Sequence, residues 1–245
     1  MMKKTEVKIY PDPESVAKVF AADFFRMVSQ SQSEQFHVAL SGGSTPKILF
    51  QVLAKDYKNT MPWNKIHFWW GDERCVSPEN EQSNFKTTHQ FLFNQINIPT
   101  ENIHRILGEN NPELEAIDYG NKIAQSLELK NGWPVFDLII LGMGADGHTA
   151  SIFPNQMELL VSAKICEVAT HPESGQQRIS LTGKVINNAD LVCFLVTGPD
   201  KRFKVSEILT GKPEAEQYPA FHIKPANGKL IWYLDKAAYS ETSGV

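Results

Sequence analysis

Apolar residues fall along this chain in two alternating kinds of pattern. Short β-branched and aromatic runs stand at FHVAL (36–40), IHFWW (66–70), DLIIL (137–141), KICEVA (164–169), RISLT (178–182), LVCFLVT (191–197) and LIWYL (230–234). Several are apolar at nearly every position, as expected of parallel strands covered on both faces. Between them apolar residues recur at helical spacing. Asp12-Pro13 supplies a cap and a first-turn proline before Val16, Val19, Phe20, Phe24 and Met27. Asn111-Pro112 does the same before Leu114, Ile117, Ile123 and Leu127, and Pro199 opens a third helix with Phe203, Ile208 and Leu209 on its apolar side. This alternation predicts a single α/β domain over 1–245, a doubly wound, mostly parallel sheet with helices on both faces. No repeat, low-complexity linker or break in composition interrupts it.

Composition narrows the partners. Hydrophobic residues make up 42% and charged residues 21% of the 245 positions, ordinary values for a globular protein. The 24 basic and 28 acidic residues give a net charge of −4 without a basic run, which argues against a nucleic-acid partner. The start MMKKTEVKIY lacks the apolar core of a signal peptide, and no run approaches the length of a membrane span. Cys75, Cys166 and Cys193 are widely spaced and form no CxxC, as plain thiols of a reduced compartment would be. The expectation is a cytoplasmic protein, a monomer or a homodimer, with no membrane partner.

In a doubly wound sheet, ligands sit at the carboxyl ends of strands, and four such places carry unusual chemistry. In LSGGSTPKILF (40–50), two glycines turn the chain and Thr45-Pro46 caps and begins a helix. The N–H groups of Gly42, Gly43 and Ser44, with the hydroxyls of Ser41, Ser44 and Thr45, form an anion cradle. No Gly-Lys-Ser/Thr follows, so a monophosphate suits it better than a triphosphate. With Pro46 where the last glycine of a nucleophile elbow should stand, phosphate binding is also favoured over a nucleophilic Ser44. In WWGDERCVSP (69–78), Asp72 and Glu73 could hold a cation, act as bases or orient Arg74, and Arg74 could grip a phosphate or carboxylate.

The third place is DLIILGMGADGHTASIFP (137–154). Gly142 to Gly147 matches the G-x-G-x-x-G dinucleotide fingerprint, and Glu167 follows at the distance of the ribose-binding acid. Pro154, however, ends any helix too early for that reading. Instead the glycines turn the backbone so that Asp146 and His148 face the cleft, and a histidine near its reference pKa of about 6.5 suits general-base work. The fourth is a pair of cations, Arg178 and Lys201, placed to converge on the phosphate held by the first loop. No His/Cys cluster has metal-ligand spacing, and neither metal nor cofactor is expected.

SGGSTPK (41–47), GDER (71–74) with SNF (83–85), LIILGMGADGHTASIFP (138–154), RISLT (178–182), TGPDK (197–201) and WYLDKAA (232–238) occur in this order. Together they resemble the 6-phosphogluconolactonase family, which shares its fold with glucosamine-6-phosphate deaminase. The deaminase's corresponding loops resemble DEY and GDGHIAFNEP. Here Arg74 replaces that tyrosine and SIFP replaces FNEP, so the deaminase's extra glutamate is missing. The resemblance implies lactone hydrolysis on a sugar phosphate, His148 as the catalytic histidine, and Arg74, the SGGST loop, Arg178 and Lys201 around the substrate. Whether Asp146 or Asp72 orients the base is left open by the sequence.

Overall fold

The computed structural model describes residues 5–239; the MMKK start read above lies outside them. In chain order the first elements are β1 (Glu6–Tyr10), α1 (Pro13–Gln30), β2 (Phe36–Leu40), α2 (Ser44–Asp56) and β3 (Ile66–Trp70). There follow β4 (Asp72–Arg74), α3 (Asn84–Phe91), α4 (Pro112–Ser126), β5 (Leu129–Lys130), β6 (Trp133–Pro134) and β7 (Leu138–Leu141). The last are β8 (Cys166–Thr170), β9 (Gln177–Leu181), α5 (Gly183–Ile186), β10 (Leu191–Val196), α6 (Arg202–Thr210) and β11 (Lys229–Asp235).

Six strands form one parallel sheet in the order β1-β11-β10-β7-β2-β3. β2 and β7 are buried at every position, so both faces of the sheet's middle are covered. This is the mostly parallel α/β architecture that the near-continuous apolar runs predict. The cap residues also act as expected. Asp12 Oδ1 accepts from Ser15 N at 2.8 Å and Asn111 Oδ1 from Leu114 N at 3.1 Å. On α1 the stripe Val16, Phe20, Phe24, Val28 is fully covered.

Several local expectations are corrected. KICEVA and RISLT lie outside the parallel sheet; they form β8 and β9 of a separate antiparallel sheet, β4-β9-β8. The chain passes between the sheets at Gly71, whose N–H donates to Leu40 O and whose carbonyl accepts from Leu181 N, each at 2.8 Å. β1 was not anticipated, because EVKIY at a sheet edge is only half covered. On α4, Leu114 and Ile117 are exposed; Ala116, Tyr119, Gly120 and Ile123 form the buried stripe instead. Phe203 is 78% exposed; the fully buried Val205, with the half-buried Ile208 and Leu209, forms the apolar side of its helix instead. α2 starts at Ser44 with Gly43 as N-cap, and Thr45 does not cap it.

Candidate active site

The chain leaves β2 toward β3 on one side and leaves β7 toward β10 on the other. β2 and β7 are neighbours, so the loops after them diverge at a topological switch point, where such sheets open a crevice. A cleft of about 300 Å³ lies there. Every candidate residue except Glu73 and Asp146 lines it: Ser41, Gly42, Gly43, Ser44, Thr45, Asp72, Arg74, His148, Arg178 and Lys201.

The wall after β2 is an uncapped helix end. Gly43 holds φ +109, a left-handed conformation open to glycine, and no side chain caps α2 or places an acid in its first turn. Its free N–H groups and the positive end of the helix dipole therefore face the cleft. Ser41 is not a free donor: its hydroxyl donates to Ile140 O at 2.8 Å and ties the loop to β7. Thr45 and Thr197 join hydroxyls at 2.7 Å, linking the cradle to the loop that carries Lys201. The Lys201 ammonium is paired with Asp200, whose carboxyl this hydrogen bond holds below the usual range.

The loop after β7 is a tight turn with no long helix behind it. Pro154–Leu160 is 3-10 in character and broken at Gln156. His148 Nδ1 meets Asp146 Oδ1 at 2.6 Å, and the same oxygen accepts the His148 N–H at 3.1 Å. Gly144 has to be glycine here, since a Cβ would enter both the imidazole and the Asp146 carboxylate. Gly147, at φ +87, packs against Tyr218, and Ala220 N donates to its carbonyl at 3.1 Å. Burial raises the Asp146 carboxyl, but the bond and charge of His148 outweigh it and hold the group below its ordinary value. Among the described residues, His148 Nε2 has no protein partner. Phe153 supports the ring at 4.9 Å between centroids.

Asp72 lines the same cleft but its carboxylate is engaged by Ser151 and not by His148. It is buried, and its Oδ2 accepts from Ser151 Oγ at 2.6 Å. Glu73 caps α3, accepting from Asn84 N and Phe85 N at 2.8 Å and from Ser83 Oγ at 3.0 Å, which gives the SNF motif a structural partner. Burial nevertheless raises its carboxyl. Arg74 and Arg178 face each other across β4 and β9. The Nε of each is buried without a partner among the described residues.

A sequence model of the glucosamine-6-phosphate isomerases/6-phosphogluconolactonase family matches residues 11–232. The chain belongs to this family. A Haemophilus influenzae relative named 6-phosphogluconolactonase is 45% identical over 230 residues, 94% of this chain and 96% of the relative. A solved structure of a protein called devB is 46% identical, with a TM-score of 0.91 over 96% of this chain and 98% of that one. The 6-phosphogluconolactonase of Trypanosoma brucei superposes with a TM-score of 0.87 at 28% identity, covering 96% of this chain and 98% of its own. Among the described residues, no helix is long and apolar enough to cross a membrane.

Sequence reasoning missed further cleft residues in this family member. Asn84 and Thr197 stood inside quoted motifs, SNF and TGPDK, without a stated role. Ser151 and Phe153 gave no signal beyond the motif itself, because their importance rests on contacts with β4 and β9.

Proposed function

We propose that this chain hydrolyses 6-phospho-D-glucono-1,5-lactone to 6-phosphogluconate, with His148 activating water and no covalent intermediate. It is an ester hydrolase of the 6-phosphogluconolactonase type, as the relatives of that name, matched over 96% of their length, support. The reaction belongs to the oxidative pentose phosphate pathway, and three free cysteines suit a reducing cytoplasm. One observation carries the mechanism: an imidazole held by a carboxylate at 2.6 Å shares a cleft with an uncapped helix N-terminus.

A δ-lactone is an activated ester, so it needs a base and an anion-stabilising wall but no acyl-enzyme. Asp146 fixes Nδ1–H of His148 and leaves Nε2 to take a proton from water as the water oxygen bonds to C1. The tetrahedral intermediate then collapses, the C1–ring oxygen bond breaks, and Nε2 returns the proton to that oxygen. The SGGST loop and Lys201 hold the phosphate, Arg74 serves phosphate and reaction centre together, and Arg178 adds a further cation to the cleft. Binding energy from the phosphate orients the lactone carbonyl toward His148.

The test is a pH-stat assay with freshly prepared lactone, corrected for spontaneous hydrolysis. Hydrolysis well above background is expected, with no ammonia released from glucosamine 6-phosphate. Ammonia release without lactone hydrolysis would replace this reading with the deaminase one.

A further inference from the structure

Arg178 has a supporting structure that a solvated surface cation would not need. Ser151 is fully buried, donates its hydroxyl proton to Asp72, and turns its oxygen toward Arg178 Nη1 at 3.5 Å. Ser151 N in turn donates to Ser180 Oγ at 3.1 Å, which fixes the bracket to β9. Burial and the neighbouring Arg74 both weaken the hold of the Arg178 guanidinium on its proton, and the charges of Asp72, Glu73 and Asp146 oppose them only in part. With Nε buried and unpartnered as well, the protein leaves this cation incompletely compensated. A ligand anion would complete it.

The position says which anion. The Arg178 guanidinium lies 5.4 Å from the centroid of the Phe153 ring, and His148 rests against the same ring at 4.9 Å. Arg178 and the base thus share one floor. The phosphate cradle and Lys201 are joined to each other instead, through the Thr45–Thr197 hydroxyl pair. Resting on the lactonase reading, we propose that Arg178, held by Ser151 and Asp72, receives the negative charge at C1 and not the phosphate. That charge is the oxyanion of the tetrahedral intermediate and then the carboxylate of the product. The site consequently recognises open-chain phosphorylated sugar acids by both ends, and Ser151 is a positioning residue for Arg178.

Calorimetry with two probes separates the ends: 6-phosphogluconate, and glucitol 6-phosphate, which has the same carbon count and phosphate but an uncharged C1. The wild-type chain should prefer the sugar acid by about 10- to 100-fold, the range of a charge-assisted contact. Arg178→Ala should remove that preference while leaving affinity for glucitol 6-phosphate within about threefold. Ser151→Ala should reduce the preference in part, again sparing the alditol, and Arg178→Lys should retain some of it. If Arg178→Ala fails to fold, the other two variants decide the matter. Equal losses for both probes would make Arg178 a phosphate ligand and overturn the proposal. So would equal wild-type affinity in a chain that hydrolyses the lactone. Absence of both binding and hydrolysis would overturn the lactonase reading along with it.

Discussion

At Gly144 a missing side chain lets an imidazole and a carboxylate meet. The residue does not need a left-handed backbone, so Gly144→Ala tests the pairing with little backbone strain. It is expected to lower kcat at least about tenfold while the melting temperature stays close to wild type. His148→Ala should lower kcat by about 10² to 10⁴ with substrate affinity retained, and near-normal turnover by the folded variant would remove His148 from the mechanism. Lys201→Ala should cost about 2–3 kcal/mol in kcat/KM for the phosphorylated lactone and almost nothing for unphosphorylated gluconolactone. Equal losses on both substrates would show that Lys201 does not clamp phosphate. At this scale the sequence was legible where a motif is local, as in GMGADGH, where Asp146 and His148 are two residues apart. It left Asp72 and Asp146 as equals because the partner of Asp72, Ser151, is 79 positions away.

Among the elements, periodicity identified the central strands and the capped helices, since local patterning is what buries them. It misassigned Leu114 and Ile117 because two registers of an α4 stripe look alike until Tyr119 is seen donating its hydroxyl toward Trp70 O on β3. It gave no hint of a second sheet, which depends on Gly71 redirecting the chain. Nor did it reveal the histidines at the opposite end of β2 and β3. His37 accepts from Trp69 Nε1 at 3.1 Å, His67 and His104 share a ring-nitrogen contact at 3.1 Å, and His104 stacks on Trp69 at 4.0 Å. Burial, with His67 nearby, holds His37 and His104 down to about 4, against an ordinary 6.5. Between those values the unfolded chain binds protons that the folded chain refuses. Stability is therefore complete above pH 6.5 and declines as pH falls toward 4. At about 1.4 kcal/mol per unit, the limit from one such histidine is about 3 kcal/mol. Thermal melts should show a lower melting temperature at pH 5 than at pH 7, and His104→Phe, which keeps the stack on Trp69, should flatten that slope. An unchanged slope would mean that other groups set the acid sensitivity.

For the whole molecule, the arrangement that matters is a cleft whose walls belong to different layers. The loops after β2, β7 and β10 rise from the parallel sheet, whereas Asp72, Arg74 and Arg178 come from β4 and β9 of the antiparallel one. The two sheets are joined at Gly71 and through Ser151, so a ligand that engages both walls adds a third connection between them. Such a ligand binds the folded chain and not the unfolded one, and it stabilises the fold by mass action. At a concentration about 100 times its dissociation constant, 6-phosphogluconate should contribute roughly 2.7 kcal/mol. For a domain of this size that corresponds to a rise in melting temperature of roughly 5–10 °C. NAD and NADP should produce none, because the turn from Gly142 to Gly147 runs into a His–Asp pair and a broken 3-10 segment instead of a long helix that could receive a pyrophosphate. Differential scanning fluorimetry against a concentration series of each ligand measures both expectations at once. A dinucleotide shift as large as that of the sugar acid would reverse the reading of these glycines, and a sugar-acid shift that persists in Lys201→Ala at unchanged midpoint would detach the phosphate end from the cleft.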